Sequence, residues 1–204
     1  RTPLNASVGF SNIIAEATND SSMSEYKDYI NINNEVLLNL INDILDIAKI
    51  ESNTLDLYSA PTNINALIKS AMQTVQFRVS KNVKTYAICP LEKCVTIADQ
   101  TRISQILINL LTNACKFTSN GMITCGYALE KDTIRIYVKD TGIGIAKDDL
   151  PKIFQKFVKL NSFVQGTGLG LSICKSLVHM MGGEIGVESD GKGLGAHFWF
   201  TLPY

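Results

Sequence analysis

The sequence carries no net charge, because 19 basic residues balance 19 acidic ones. Nothing in that balance favours a nucleic-acid partner or an anionic membrane surface. No apolar run approaches the ~20 residues that a bilayer-spanning helix needs. No secretory leader is expected either, since Arg1 opens directly on a polar helical pattern. Histidine is scarce: only His179 and His197 are present. The five cysteines, Cys89, Cys94, Cys115, Cys125 and Cys174, are odd in number and make no C-x-x-C pair. They read as small apolar residues in a reducing compartment, not as disulfides or a zinc site. What remains is an ordinary globular composition, 46% hydrophobic and 19% charged, with room for one core or two small ones.

Hydrophobic spacing supplies the elements. Ala6, Phe10, Ile13 and Ala17 recur at helical intervals and predict a helix over residues 1–18. Asn19-Asp20-Ser21-Ser22 reads as a turn. A second helix is expected from Ser24 to about Asn53. Its stripe is Leu37, Ile41, Ile44 and Ala48, widened by Leu38 and Leu45. Two helices cannot bury so wide a stripe alone. Either a second copy completes a four-helix bundle, or the hairpin packs on the rest of its own chain. Tyr58 to Thr62, with Pro61, reads as a linker. This places a helical hairpin at residues 1–58 and a second domain at residues 59–204. The second domain shows a helix over residues 63–77 and short strands at Val83–Cys89 and Val95–Ala98. Longer strands follow at Met122–Leu129 and Thr133–Lys139, and two more at Glu184–Glu188 and Ala196–Leu202. In Thr133–Lys139, Ile134, Ile136 and Val138 alternate with Thr133, Arg135 and Tyr137, so one face is buried. The fold class is α+β: a mixed sheet, mostly antiparallel, with helices on one face.

Chemistry concentrates in three stretches. Gln105–Phe117, QILINLLTNACKF, is preceded by Asp99, a plausible N-cap. Ile103, Ile106, Leu107, Leu110, Leu111 and Ala114 form a core stripe. Gln105, Asn109, Asn113 and Lys116 fall on the other side, flanked by Phe117. Carboxamide oxygens are neutral, hard ligands suited to Mg²⁺. An ammonium suits phosphate, and an aromatic face can stack on a base. A solvated polar face explains the same row equally well. The second stretch is DTGIGI, Asp140–Ile145. A carboxylate at a strand end can accept from an exocyclic amine, which adenine offers where guanine presents a carbonyl. Gly142 and Gly144 let the backbone approach a ligand, although an Asp-Thr-Gly turn is common without one. The third is GTGLGLSI, Gly166–Ile173. Its glycine N–H groups at a helix N-terminus would make an anion site. Gly186–Gly193 mimics a phosphate loop but ends in Gly193 where a hydroxyl should be, and it joins two strands. It reads as a turn.

In this order, the three stretches resemble the N, G1 and G2 boxes of sensor histidine kinases, members of the GHKL group of ATP-binding domains. FQKF, Phe154–Phe157, is similar to the F box between them, and the opening RTPLNASVGF to the tail of the H box. The resemblance covers essentially the whole chain. It implies a dimeric helical hairpin followed by a GHKL α/β sandwich, with ATP and Mg²⁺ as cofactors. It implies Asn109 and Asn113 as metal ligands. Lys116 and Gly166, Thr167, Gly168, Leu169 and Gly170 would take the phosphates. Phe117, Asp140, Gly142 and Gly144 would hold the base. Lys159 replaces an arginine that reaches the γ-phosphate and lacks its bidentate fork. The segment from Lys159 to Gly166 is shorter than the family's usual lid.

The family's acceptor histidine lies just upstream of the position of Arg1, and neither His179 nor His197 stands in that setting. The implied reaction is ATP-dependent phosphorylation of that histidine, then relay to an aspartate on a response-regulator receiver domain. Thr2 stands one helical turn after the family's histidine. There it would orient water for dephosphorylating the regulator, or else simply cap a helix beside Pro3. The resemblance further implies a cytoplasmic segment, compatible with a membrane-anchored receptor. Two other functions stay open. One is an ATPase switch like the gyrase and heat-shock chaperone relatives, which carry a glutamate at the position of Asn109. The other is a dimeric nucleotide-binding scaffold.

Overall fold

The computed structural model describes Gly9, Ser11 and residues 20–159 and 167–204. The helix expected over residues 1–18, with Thr2, and also Gly166 lie outside the described residues. The chain divides into two compact units, Arg1–Leu55 and Asp56–Tyr204.

In the first unit, α1 spans Asp20–Glu51. Asp20–Ser22, expected as a turn, are its first residues, because acidic and hydroxyl residues suit a first helical turn as well as a loop. Leu38, Ile41, Ile44 and Leu45 are 60%, 44%, 49% and 52% exposed, so within one chain the apolar stripe is uncovered. Asn53 ends the helix in the left-handed region, at φ 53°. The Thr54 N–H returns to the Lys49 carbonyl at 2.9 Å, the closing bond of a helix C-cap.

The second unit opens with a correction. Pro61 suggests a linker, but Ala60–Asn63 is a strand, β1, paired antiparallel with β3 (Val95–Ala98). Proline is tolerated because this ladder has only two strands and leaves an edge open. Helix α2, Ile64–Val75, is capped by the Asn63 side chain, which accepts the Ala66 N–H at 3.2 Å. It is followed by a single 3₁₀ turn, Gln76–Arg78. β2 spans Val83–Ile88, and α3 spans Gln100–Phe117. The Asp99 side chain caps α3 by accepting the Arg102 N–H at 3.1 Å. β4 (Gly121–Glu130), β5 (Thr133–Asp140), α4 (Gly170–Met180), β6 (Ile185–Glu188) and β7 (Ala196–Pro203) complete the unit.

Five strands form one sheet in the order β2-β4-β5-β7-β6, in which β2 runs parallel to β4 and every other pair is antiparallel. The α3 stripe, Ile103, Ile106, Leu107, Leu110, Leu111 and Ala114, is fully buried. So are Ile134, Ile136 and Val138 of β5 and Phe198, Phe200 and Leu202 of β7, the alternate residues of each strand. Each such aliphatic side chain contributes about 2 kcal/mol by leaving water. Helix α4 adds Ile173, Cys174, Leu177 and Val178 and stops at Gly182, φ 77°. All five cysteines are free, and burial pushes the Cys125 thiol up to about 12. No described helix is long and apolar enough to cross a membrane.

Candidate functional site

The row on α3 divides. Gln105 accepts a hydrogen bond from the Arg102 guanidinium at 2.9 Å and lines a surface groove of about 460 Å³ on the α2 side, with Leu67 and Ser70. Asn109 and Asn113 remain together: the Asn113 amide donates to Asn109 Oδ1 at 3.3 Å. Asn109 also meets α4. A Cβ on Gly170 would fall 2.2 Å from Asn109 Nδ2, so a side chain there would displace that carboxamide. Helix α4 differs from α2 and α3 in having no side chain over its N-terminus. Its Leu169 N–H is taken by Thr167 Oγ1 at 3.1 Å, and the Leu169 carbonyl accepts from Ser172 Oγ at 2.7 Å. The remaining first-turn N–H groups lack a side-chain cap, as an anion site requires.

The end of α3 meets the Asp140–Ile145 segment. The Phe117 carbonyl accepts the Ile143 N–H at 3.1 Å, and a Cβ on Gly142 would lie 2.2 Å from that carbonyl oxygen. Gly144 sits at φ 66°. Asp140, at the end of β5, is 6% exposed, and its Oδ1 accepts the Gly142 N–H at 2.8 Å. Burial raises its carboxyl pKa. The Gly142 N–H, the Ala196 N–H and the Thr118 hydroxyl oppose that rise. Thr118 Oγ1 lies near enough to act on the charge, yet it is buried and has no partner in hydrogen-bond geometry. A buried carboxylate beside an unsatisfied hydroxyl is a place where a small polar group would be held.

Lys116, in the last turn of α3, has its ammonium pKa lowered, first by lost hydration, then by Arg78 and by Lys159. Three cations therefore share this end of the site. Arg78 carries no signal in the sequence pattern, because the 3₁₀ turn that holds it follows α2, far away in the chain. Lys159 and Phe157 are exposed. Phe157 adopts φ 63°, and its N–H donates to the Gly168 carbonyl at 2.8 Å. The FQKF segment and the glycine segment before α4 are thus joined backbone to backbone. Asn109, Asn113, Lys116, Phe117, Asp140, Gly142, Gly144, Thr167, Gly168, Leu169 and Gly170 all belong to segments in direct contact. Lys159 joins them through charge.

His197 lies apart, with Nδ1 3.4 Å from Glu188 and its ring edge-on to Tyr137, and His179 is exposed on α4. Among the described residues, no cluster of three or more His, Cys, Asp or Glu could hold a metal. Two carboxamide oxygens are too few for a free divalent cation. They suit Mg²⁺ that arrives already bound to phosphate and water.

Comparison with known proteins gives two domain matches. Residues 98–204 match the family model described as histidine kinase-, DNA gyrase B- and HSP90-like ATPase. Residues 1–53 match the His Kinase A (phospho-acceptor) domain. Hybrid signal transduction histidine kinase B of Dictyostelium discoideum is 38% identical over 218 residues, covering 100% of this chain. The chain spans only a fraction of such curated relatives, 11% of that one and 23% of the sensor protein GacS of Pseudomonas syringae. Full-length ShkA, crystallised with AMPPNP, superimposes with a TM-score of 0.79 at 32% identity, over 100% of this chain and 43% of that one. Histidine kinase ThkA, solved in complex with the response regulator protein TrrA, gives 0.71 at 27% identity over 98% of this chain and 57% of that one. The chain belongs to the histidine kinase family, with a phospho-acceptor-type helical segment followed by an ATPase-type domain.

Proposed function

We propose that this chain is the kinase core of a two-component sensor, transferring the γ-phosphoryl group of ATP to a histidine and then to an aspartate of a response-regulator receiver domain. The observation that carries the reading is the approach of Gly170 to Asn109, which sets an uncapped helix N-terminus against a paired carboxamide. Phosphoryl transfer exchanges a P–O bond for a P–N bond and depends on positioning and charge neutralisation. Asn109 and Asn113 would hold Mg²⁺, which supplies Lewis-acid neutralisation of the phosphates. Lys116, with Arg78 and Lys159 nearby, and the N–H groups opening α4 draw the triphosphate to one end. Phe117 stacks on the base, and Asp140 accepts its exocyclic amine. Gly142 and Gly144 let the backbone close on it. Gly166 and Thr167 extend the phosphate cradle.

Asn109 also favours a kinase over an ATPase switch. A carboxamide cannot take a proton from water at neutral pH, so hydrolysis is slow. The family pattern puts the acceptor histidine just upstream of the position of Arg1, and Thr2 would orient water for hydrolysis of the regulator's aspartyl phosphate, a reaction separate from the transfer. The open stripe of Leu38, Ile41, Ile44 and Leu45 supports a homodimer through the hairpin. The segment is cytoplasmic and serves a membrane-anchored receptor. ThkA's partnership with a response regulator supports the relay.

The test is radioactive ATP. This chain alone should take up no label, and a version extended upstream should gain an acid-labile, base-stable phosphate. Label on the chain itself would place the acceptor elsewhere.

A further inference from the structure

The turn between β6 and β7 holds no residue assigned above, yet it is bonded along the whole Asp140–Ile145 segment. Ser189 Oγ accepts the Ile145 N–H at 3.0 Å and donates to the Gly195 carbonyl at 2.6 Å. The Gly193 N–H donates to the Ile143 carbonyl at 2.6 Å, and the Gly195 N–H to the Gly142 carbonyl at 3.1 Å. The backbones touch as well. A Cβ on Gly144 would fall 2.0 Å from the Gly191 carbonyl, and one on Gly195 would fall 2.1 Å from the Asp140 carbonyl. Gly195, at φ 72°, is buried beneath the segment. A hydroxyl is suited to the place Ser189 occupies, because it can donate one bond while accepting another. The glycines of DTGIGI would otherwise leave their loop with many backbone states. Ser189 removes that freedom at the Ile145 end, and Gly195 removes it at the Asp140 end.

We propose that Ser189 is a positioning residue for base recognition. Its hydroxyl ties the β6–β7 turn to Ile145 and thereby holds the Asp140 carboxylate and the Gly142 N–H in one geometry. This rests on the nucleotide reading of the site. Ser189 itself touches no substrate; it acts through the loop.

The test uses the full chain, with Mg-ADP binding by calorimetry, amide hydrogen exchange without nucleotide, and the thermal midpoint. Ser189→Ala should bind ADP about tenfold more weakly, the loss expected when one ordering hydrogen bond is removed. The Ile145 amide should exchange faster in that variant before any nucleotide is added, with the midpoint nearly kept. Ser189→Thr keeps the hydroxyl and should restore both affinity and protection. Lys192→Ala, on the exposed side of the same turn, should change neither. Wild-type affinity in Ser189→Ala, or a loss that Ser189→Thr shares, overturns the proposal while the nucleotide reading stands. A wild-type chain that binds no ADP overturns the nucleotide reading and this proposal with it; Ile145 exchange then decides only whether the brace exists.

Discussion

The two glycine segments look alike in sequence and sit in unlike settings. In Asp140–Ile145 the glycines press on backbone: Gly142 on the Phe117 carbonyl and Gly144 on that of Gly191. In the second segment, Gly168 also presses on backbone, that of Phe157, but Gly170 presses on the end of a side chain, Asn109. Backbone cannot step aside, whereas a carboxamide can rotate. The first segment is therefore a fixed wall built by the fold. The second, at Gly170, is an adjustable junction between a helix start and the paired carboxamides of Asn109 and Asn113. Glycine serves architecture in the first and, at Gly170, access in the second.

A pair of substitutions tests this difference most directly. Gly144→Ala sets a Cβ against backbone at positive φ and should destabilise the fold by about 3 kcal/mol in denaturant titrations. Gly170→Ala should leave the midpoint nearly unchanged, because alanine suits a helix and Asn109 can move. It should nevertheless abolish Mg-nucleotide binding by displacing that carboxamide. Equal stability losses in the two variants would erase the distinction.

The next effect concerns Asp140. Its folded pKa is raised by burial, so the folded state holds the proton more tightly than the unfolded chain does. The linked stability is complete below the unfolded carboxylate range and is lost as pH rises through the raised value. Without nucleotide, Asp140→Asn should remove that loss, so its thermal midpoint should gain on the wild type as pH increases. If Asp140 accepts from the base amine as proposed, the same variant should bind ADP roughly tenfold more weakly. Stability would then rise as function falls, in a segment that backbone contacts hold on two sides.

The smallest effect lies at the phosphate end. Arg78 and Lys159 both lower the pKa of Lys116. Arg78→Gln should move the Lys116 titration to higher pH, read by NMR of its side chain, and should weaken the salt dependence of nucleotide binding. A Lys116 titration that stays where it was would separate Arg78 from the cation group.

Much of this was legible in the chain. The α3 stripe and the alternation in β5 announce buried faces without help, and Asp99 sits where a helix cap belongs; Asn63, expected as the first helical residue, proves to be the cap of α2. Contacts between segments distant in sequence were not legible. Ser189 lies in a turn that seemed to do no more than reverse the chain, and only the sheet order β5-β7-β6 brings it over Asp140–Ile145. Arg78 was hidden for the same reason. Pro61 misled because proline weakens a strand in the middle of a sheet, and β1 is not in the middle of one.

One further consequence follows from Phe157. A side chain at φ 63° costs on the order of 1 kcal/mol, and here a hydrogen bond to Gly168 holds it in place. That bond acts as a clasp, closing the intervening chain into a ring anchored at both posts. Lengthening such a ring twofold costs only about 0.6 kcal/mol in closure entropy. The number of residues between the two posts is therefore nearly free to vary among related proteins, while the Phe157 and Gly168 backbones keep their junction.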